Sequence, residues 1–250
     1  MWDRELELAQ RAAKAAGMFL CRRENIHVEE QQGKDLKLSS DKMSEKIIFD
    51  ILEESGLPAL SEESGEKGTL RGRYWIVDPL DGTVNYFKGL DDFACVSIAL
   101  WEEECPILGV VYRFTQDELF YGAETKGAYR NGEKIKPSTV TETCQAVMAG
   151  GFPVKRNYED MELEQFIRKV QCFKKVRMLG AAALMGTFVA CGRLDAYFED
   201  GIMLWDVAAA VAILKAAGGV FMLQQQDDYK CLCQCFATEQ LMEDYHAQGL

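Results

Sequence analysis

Trp75-Ile76-Val77-Asp78-Pro79-Leu80-Asp81-Gly82-Thr83-Val84-Asn85-Tyr86 is the stretch on which the reading of this chain turns. Tyr74 to Val77 is a short apolar run of β-prone residues. Pro79 cannot donate to a sheet and disfavours helical geometry at Asp78. The strand is therefore expected to end where the acids begin. Gly82 has no side chain to cover neighbouring backbone N–H groups, and a helix is expected to start near Thr83. The first turn of a helix presents unpaired donors and a positive dipole end, which suits a phosphate group. Asp78 and Asp81, immediately upstream, suit hard cations.

A lone D-x-x-D occurs often by chance, so its company matters. Ser61-Glu62-Glu63-Ser64-Gly65 places two acids in a short loop upstream, and Trp205-Asp206 places another at the start of an apolar helix. Each has a plain alternative. Glu62 and Glu63 also read as a solvated charge run, and Asp206 as a first-turn acid favoured by the helix dipole.

Outward from these acids the pattern divides in two. Asp3 to Arg22 repeats Leu6, Ala9, Ala13, Ala16 and Leu20 at helical steps. A second helix is expected from an N-cap at Ser40 or Asp41, with Met43, Ile47, Ile48, Ile51 and Leu52 as its buried stripe and Gly56 at its end. Segments 96–100, 107–111 and 118–121 read as strands of an antiparallel meander, with Gly122, Gly127 and Asn131-Gly132 as turns. Beyond residues 139–142 strands and helices alternate. Strands are expected at 146–149, 176–179, 194–198, 220–223 and 231–237, and helices at 158–172, 181–190 and 205–217. Such alternation covers a sheet with helices on its faces. The division gives an N-terminal α+β region, residues 1–140, carrying most of the acids. A C-terminal α/β region, residues 141–250, carries Asp206, and the two form one compact unit.

The chain has 250 residues and a net charge of -12, which argues against a nucleic-acid surface but not against a phosphorylated substrate. The nine cysteines are an odd number, and the first residues resemble no secretory signal. No run of about 18 apolar residues is present. A cytoplasmic protein with reduced thiols, and with no membrane partner, is the resulting expectation. Cys231, Cys233 and Cys235 alternate with Leu232 and Gln234. With only two histidines in the chain, that alternation reads as one face of a strand rather than as a zinc site.

Taken in order, Glu62-Glu63, the twelve residues from Trp75, and Trp205-Asp206-Val207-Ala208-Ala209 followed by Ala217-Gly218-Gly219 closely resemble the signatures of the inositol monophosphatase family. The resemblance covers nearly the whole chain. It implies an α/β fold, the layered αβαβα sandwich of the sugar phosphatases. It also implies hydrolysis of a small phosphate monoester, inositol monophosphate first, by a metal-activated water.

Two to three Mg²⁺ are implied, with Mn²⁺ as a substitute, held by Glu62, Asp78, the Leu80 carbonyl, Asp81 and Asp206. Oxygen-only ligands agree with those ions. Gly82 and Thr83 would present N–H groups to the phosphate. The Thr83 hydroxyl and Asp41 would orient the attacking water, with Glu62 among the catalytic acids and Glu63 in support. Glu199, in Phe198-Glu199-Asp200-Gly201, would accept from substrate hydroxyls; its plain alternative is a surface acid at a strand end. Ala182 would pack beside the ring, and Asp206 would also face the substrate. Lys34 and Lys37 sit in a loop region that could meet the phosphate in the family pattern, but ordinary solvent exposure is the preferred account of either.

The resemblance further implies a homodimer and inhibition by Li⁺. The chain departs from the family pattern at Ala181, where threonine is frequent, at Ile202-Met203-Leu204, which are often polar, and at Lys37-Leu38. These make the substrate rim more apolar. The alternatives are a 3'(2'),5'-bisphosphate nucleotidase, another sugar-phosphate phosphatase, and a protein-binding regulator built on the same fold.

Overall fold

In the computed structural model, which describes residues 2–24, 26–32, 35–152, 159–227 and 229–248, the chain begins with α1 (Asp3–Leu20), β1 (Val28–Gln32), β2 (Asp35–Leu38) and α2 (Ser39–Leu52). It continues with β3 (Ala59–Ser61), β4 (Gly65–Lys67), β5 (Arg73–Asp81) and α3 (Thr83–Lys88). The meander follows as β6 (Cys95–Glu102), β7 (Cys105–Arg113), β8 (Glu118–Ala123), β9 (Gly127–Arg130) and β10 (Glu133–Lys134). The alternating half comprises β11 (Val147–Gly150), α4 (Asp160–Gln171), β12 (Lys175–Arg177), α5 (Ala182–Ala190), β13 (Ala196–Met203) and α6 (Leu204–Ala217). It ends with β14 (Val220–Gln225), β15 (Lys230–Phe236) and α7 (Glu239–Ala247).

The strands form two main sheets. One has eight strands in the order β10-β9-β8-β7-β6-β5-β3-β4, and the other five in the order β12-β11-β13-β15-β14. Alternation along β5 and β6 explains the layering. Trp75, Val77, Val96, Ile98 and Leu100 point to one face and pack with Leu8, Ala12, Ala16 and Ile48 of α1 and α2. Ile76, Ala99 and Trp101 point to the other face and pack with α5 and α6, which in turn cover Tyr197, Cys233 and Cys235 of the second sheet. The outer face of that sheet, with Met148, Phe198 and Phe236, is covered by Phe166 of α4 and by Leu241 and Tyr245 of α7. The result is helix, sheet, helix, sheet, helix. The α5–α6 layer is apolar nearly all round, as a helix pair buried on both sides must be. Among the described residues no helix is long and apolar enough to cross a membrane.

Close approach fixes one glycine of the meander. Gly109 of β7 faces α6, and a Cβ there would lie 2.2 Å from the Ala209 carbonyl oxygen. Gly109→Ala is expected to destabilise the fold by about 3 kcal/mol, the upper range for overpacking, read as a lower urea midpoint with unchanged slope. An unaltered midpoint would show that α6 does not press on this strand.

Several expectations need correction. The strand does not stop at Asp78; β5 runs through Pro79 to Asp81. A bulge in its pairing with β6 falls between Asp78 and Asp81, which accommodates the missing donor. Gly122 is no turn but an interior residue of β8 opposite Ile213 and Ala216 of α6. The buried face of α2 carries Asp41, Ser44, Glu45, Ile48, Phe49 and Leu52, while Met43 is 47% exposed. Polar residues occupy part of the inward face, so apolar periodicity alone misplaced it. Asn131 and Gly132, both at positive φ, do form the β9–β10 turn. Cys231, Cys233 and Cys235 lie buried on one face of β15, with the Cys233 and Cys235 sulfurs 3.9 Å apart. The helix expected from Tyr158 is seen from Asp160; Tyr158 and Lys34 lie outside the described residues.

Candidate active site

The acids of the sequence motif gather where the first sheet meets the α5–α6 layer. Glu62 sits in the turn between β3 and β4, Asp78 and Asp81 at the bulged end of β5, and Asp206 in the first turn of α6. Carboxylate oxygens of Glu62, Asp78 and Asp206 all lie within 4.8 Å of one another. Asp81 stands apart from that group of three, because both its oxygens are engaged from the N-terminus of α5. Ala182 N–H donates to Oδ1 at 3.2 Å and Ala183 N–H to Oδ2 at 2.8 Å, with the buried Cys95 thiol 3.6 Å from Oδ2. All four acids nevertheless line one cleft of about 260 Å³, together with Leu80, Gly82, Thr83, Ala182 and Glu199.

Local structure explains each placement. The bulge is held by Leu80 N–H donating to Asp78 Oδ1 at 2.9 Å and by Ser44 Oγ donating to the Pro79 carbonyl at 2.7 Å. Thr83 Oγ1 donates to the Leu80 carbonyl at 2.9 Å and so pins the start of α3. Gly82 adopts φ 86°, and a Cβ there would meet the Phe93 carbonyl at 2.5 Å. Only glycine suits that position. The loop of Glu62 is fixed from below by Glu45, whose Oε1 accepts from Ser61 Oγ at 2.5 Å, Ser64 N–H at 3.1 Å and Ser64 Oγ at 2.8 Å. Asp206 Oδ2 accepts from Met203 N–H at 3.3 Å and caps α6.

Burial and mutual repulsion show in the protonation of these groups. Asp78 is held well above the usual carboxylate range by burial, with Glu62, Asp81 and Asp206 adding to it. Burial does the same to Asp206, reinforced by Glu62, Asp81 and Glu199. Asp81 is pushed up to about 7 by burial, against the pull of the α5 N–H groups. Clustered carboxylates of this kind cannot all ionise without a compensating cation. Among the described residues the cleft wall contains no lysine, arginine or histidine. An all-oxygen donor set without an internal counter-charge fits a hard divalent ion.

The remaining motif residues are distributed unevenly. Glu199 is not a strand-end surface acid. It lies inside β13, is 5% exposed, and is pushed up to about 8 by burial, with Asp81 adding to the shift. Asp41 is buried at the start of α2 but does not line the cleft. Its Oδ2 accepts from Leu38 N–H at 2.7 Å, and its buried Oδ1 has no partner. Burial raises Asp41 to about 8, with Glu63 and Glu62 contributing. Glu63 is buried against Lys37 at 3.3 Å, so that lysine is drawn to a carboxylate rather than to the cleft. Sequence reading missed Glu45, Cys95 and the α5 N-terminus. The polar face of α2 at Asp41, Ser44 and Glu45 was the available signal for the first; nothing local marked the other two.

Five alternating layers with an acid-lined cleft at the end of one sheet define an α/β fold of the inositol monophosphatase type. The structure of an inositol monophosphatase from Anabaena matches it with a TM-score of 0.85 and 32% identity, covering 99% of this chain and 96% of that one. The chain belongs to the inositol monophosphatase family, whose model matches residues 1–246. Among curated proteins, an inositol-1-monophosphatase of Synechocystis is 36% identical over 86% of this chain and 77% of its own. The Nus factor SuhB of Xylella fastidiosa is 37% identical over 84% of this chain and 78% of its own.

Proposed function

We propose that the protein is a Mg²⁺-dependent phosphatase of small phosphate monoesters, with inositol monophosphate as the first candidate substrate. The convergence of Glu62, Asp78 and Asp206 from three separate elements within 4.8 Å carries this reading. Glu62, Asp78, the Leu80 carbonyl, Asp81 and Asp206 would hold two to three ions. Such ions would supply neutralisation of the phosphate charge and a lowered pKa of a bound water.

The protein's own groups do the rest. The N–H groups of Gly82 and Thr83 open α3 and receive the phosphate oxygens. The Thr83 hydroxyl, which lines the cleft, orients the attacking water. Water adds to phosphorus, the ester P–O bond breaks, and the alcohol leaves with a proton. Ala182 packs beside the alcohol, and Glu199 accepts hydrogen bonds from its hydroxyls. Phosphate release is expected to vanish on exhaustive chelation; activity that survives it rules the reading out.

Glu199→Gln is expected to change relative rates across inositol 1-phosphate, other sugar phosphates and adenosine 3',5'-bisphosphate by about tenfold, with the Mg²⁺ requirement unchanged. Identical rank order and rates in the variant would remove Glu199 from substrate recognition. The same panel separates the inositol-phosphatase reading from the nucleotidase one. A second reading, a role as a Nus factor, is supported by a relative of that name at 37% identity, beside 36% for the inositol-1-monophosphatase. A phenotype that persists in cells carrying the inactive Asp81→Asn protein favours it.

A further inference from the structure

Behind the active-site cleft lies a second cavity of about 160 Å³, on the outer face of the five-stranded sheet. Gly151 and Glu199 line both cavities. Its walls include Phe166 of α4, Phe198 of β13, Leu232 of β15 and Tyr245 of α7. The rings of Phe166 and Phe198 lie 5.9 Å apart at 62°, and those of Phe198 and Tyr245 5.9 Å apart at 34°. This size is close to that of an apolar cavity known to admit a single benzene ring.

Three polar groups around it are donors left over. Gln234 is 8% exposed, and its side-chain oxygen meets His246 Nε2 at 3.0 Å. Its amide nitrogen has no partner among the described residues. The Tyr245 hydroxyl, on a side chain 1% exposed, has none either. Lys169, also in the wall, makes no ion pair among the described residues. Polar groups this little exposed are usually hydrogen-bonded, so two unpartnered donors and one unpaired cation around one apolar cavity offer three places for an acceptor that enters it. Of the two carboxyls in the wall, Asp200 is itself engaged by Gln226 Nε2 at 3.0 Å, and Glu199 is held toward its neutral form by burial.

We propose that this cavity binds a small aromatic carboxylate, its ring among Phe166, Phe198 and Leu232 and its carboxylate on Gln234, Tyr245 and Lys169. Charge complementarity selects the anion, and ring geometry selects the planar body.

Calorimetric titration of the full chain with benzoate tests it. Chelator is present throughout, so that the carboxylate cannot bind ions in the main cleft. A saturable one-to-one heat is expected, together with none from benzylamine, which has a similar body and the opposite charge. Leu232→Trp, which fills the cavity, and Lys169→Ala, which removes the cation, should each weaken benzoate by at least about tenfold. Lys169 is partly exposed, so its variant keeps the test decisive if the tryptophan disturbs folding. Absence of a saturable benzoate heat, equal binding of benzylamine, or benzoate affinity unchanged by Lys169→Ala would each overturn the proposal.

Discussion

Asp206→Asn is expected to lower turnover by about 10²- to 10³-fold, the range seen when one group that stabilises developing charge is removed, and at the same time to stabilise the metal-free protein. Asp206 shares its few ångströms with Glu62 and Asp78. Its carboxyl is held well above the ordinary range by burial, with Glu62, Asp81 and Glu199 adding to it. Asparagine removes the charge yet keeps an oxygen to accept from Met203 N–H, so the α6 cap survives.

Asp81→Asn should lose activity to a similar extent with the opposite effect on stability. Both Asp81 oxygens receive N–H groups from α5. An amide must turn its own NH₂ toward one of them, leaving a donor facing a donor at a cost of about 1–3 kcal/mol. Initial rates at saturating Mg²⁺ and urea midpoints in chelator measure both effects. Near-wild-type rates in either purified variant would remove that residue from the ligand set. Equal stability changes in the two would mean that the α5 contacts to Asp81 do not matter.

The second large effect concerns pH. In chelator, the melting temperature is expected to fall as pH rises from about 5 to about 8, and Mg²⁺ is expected to abolish most of that fall. Asp81 is raised to about 7, and Asp41 and Glu199 to about 8. The same groups in the unfolded chain titrate near the ordinary carboxylate value of about 4. Between those limits the folded protein holds more protons than the unfolded one, so stability declines with rising pH. Below the ordinary value the contribution of these three groups is fully present, and above about 8 it is gone. A cation that binds the ionised, folded form reverses the trend and is most stabilising at the alkaline end. A melting temperature that stays level over this range without metal would contradict the raised carboxyls and the crowding that causes them.

Much of the architecture is visible along the chain. The small-residue run of α5 and the apolar run of α6 announced helices. The alternating cysteines of β15 announced a strand, and Asn131-Gly132 a turn. The short strands β3 and β4 and the β1–β2 hairpin escaped, because three to five residues with mixed polarity carry no usable period. Pro79 misled for a related reason. A proline argues against a central strand unless a bulge removes the need for its N–H, and bulges are set by pairing, not by composition.

Local spacing was enough to determine that this chain alternates helices and strands around a short acidic turn. Periodicity and turn chemistry act between residues a few positions apart. The order of the motifs, through their resemblance to the inositol monophosphatase signatures, marked Glu62, Asp78, Asp81 and Asp206 as a set. The tertiary structure alone decided which three acids crowd together, and that Asp81 is tied instead to the N-terminus of α5. It also decided that Glu199 is buried inside a strand and that Glu45 braces the loop of Glu62. Those facts depend on two sheets closing on one helical layer, which brings distant segments within hydrogen-bond reach and excludes water from between them.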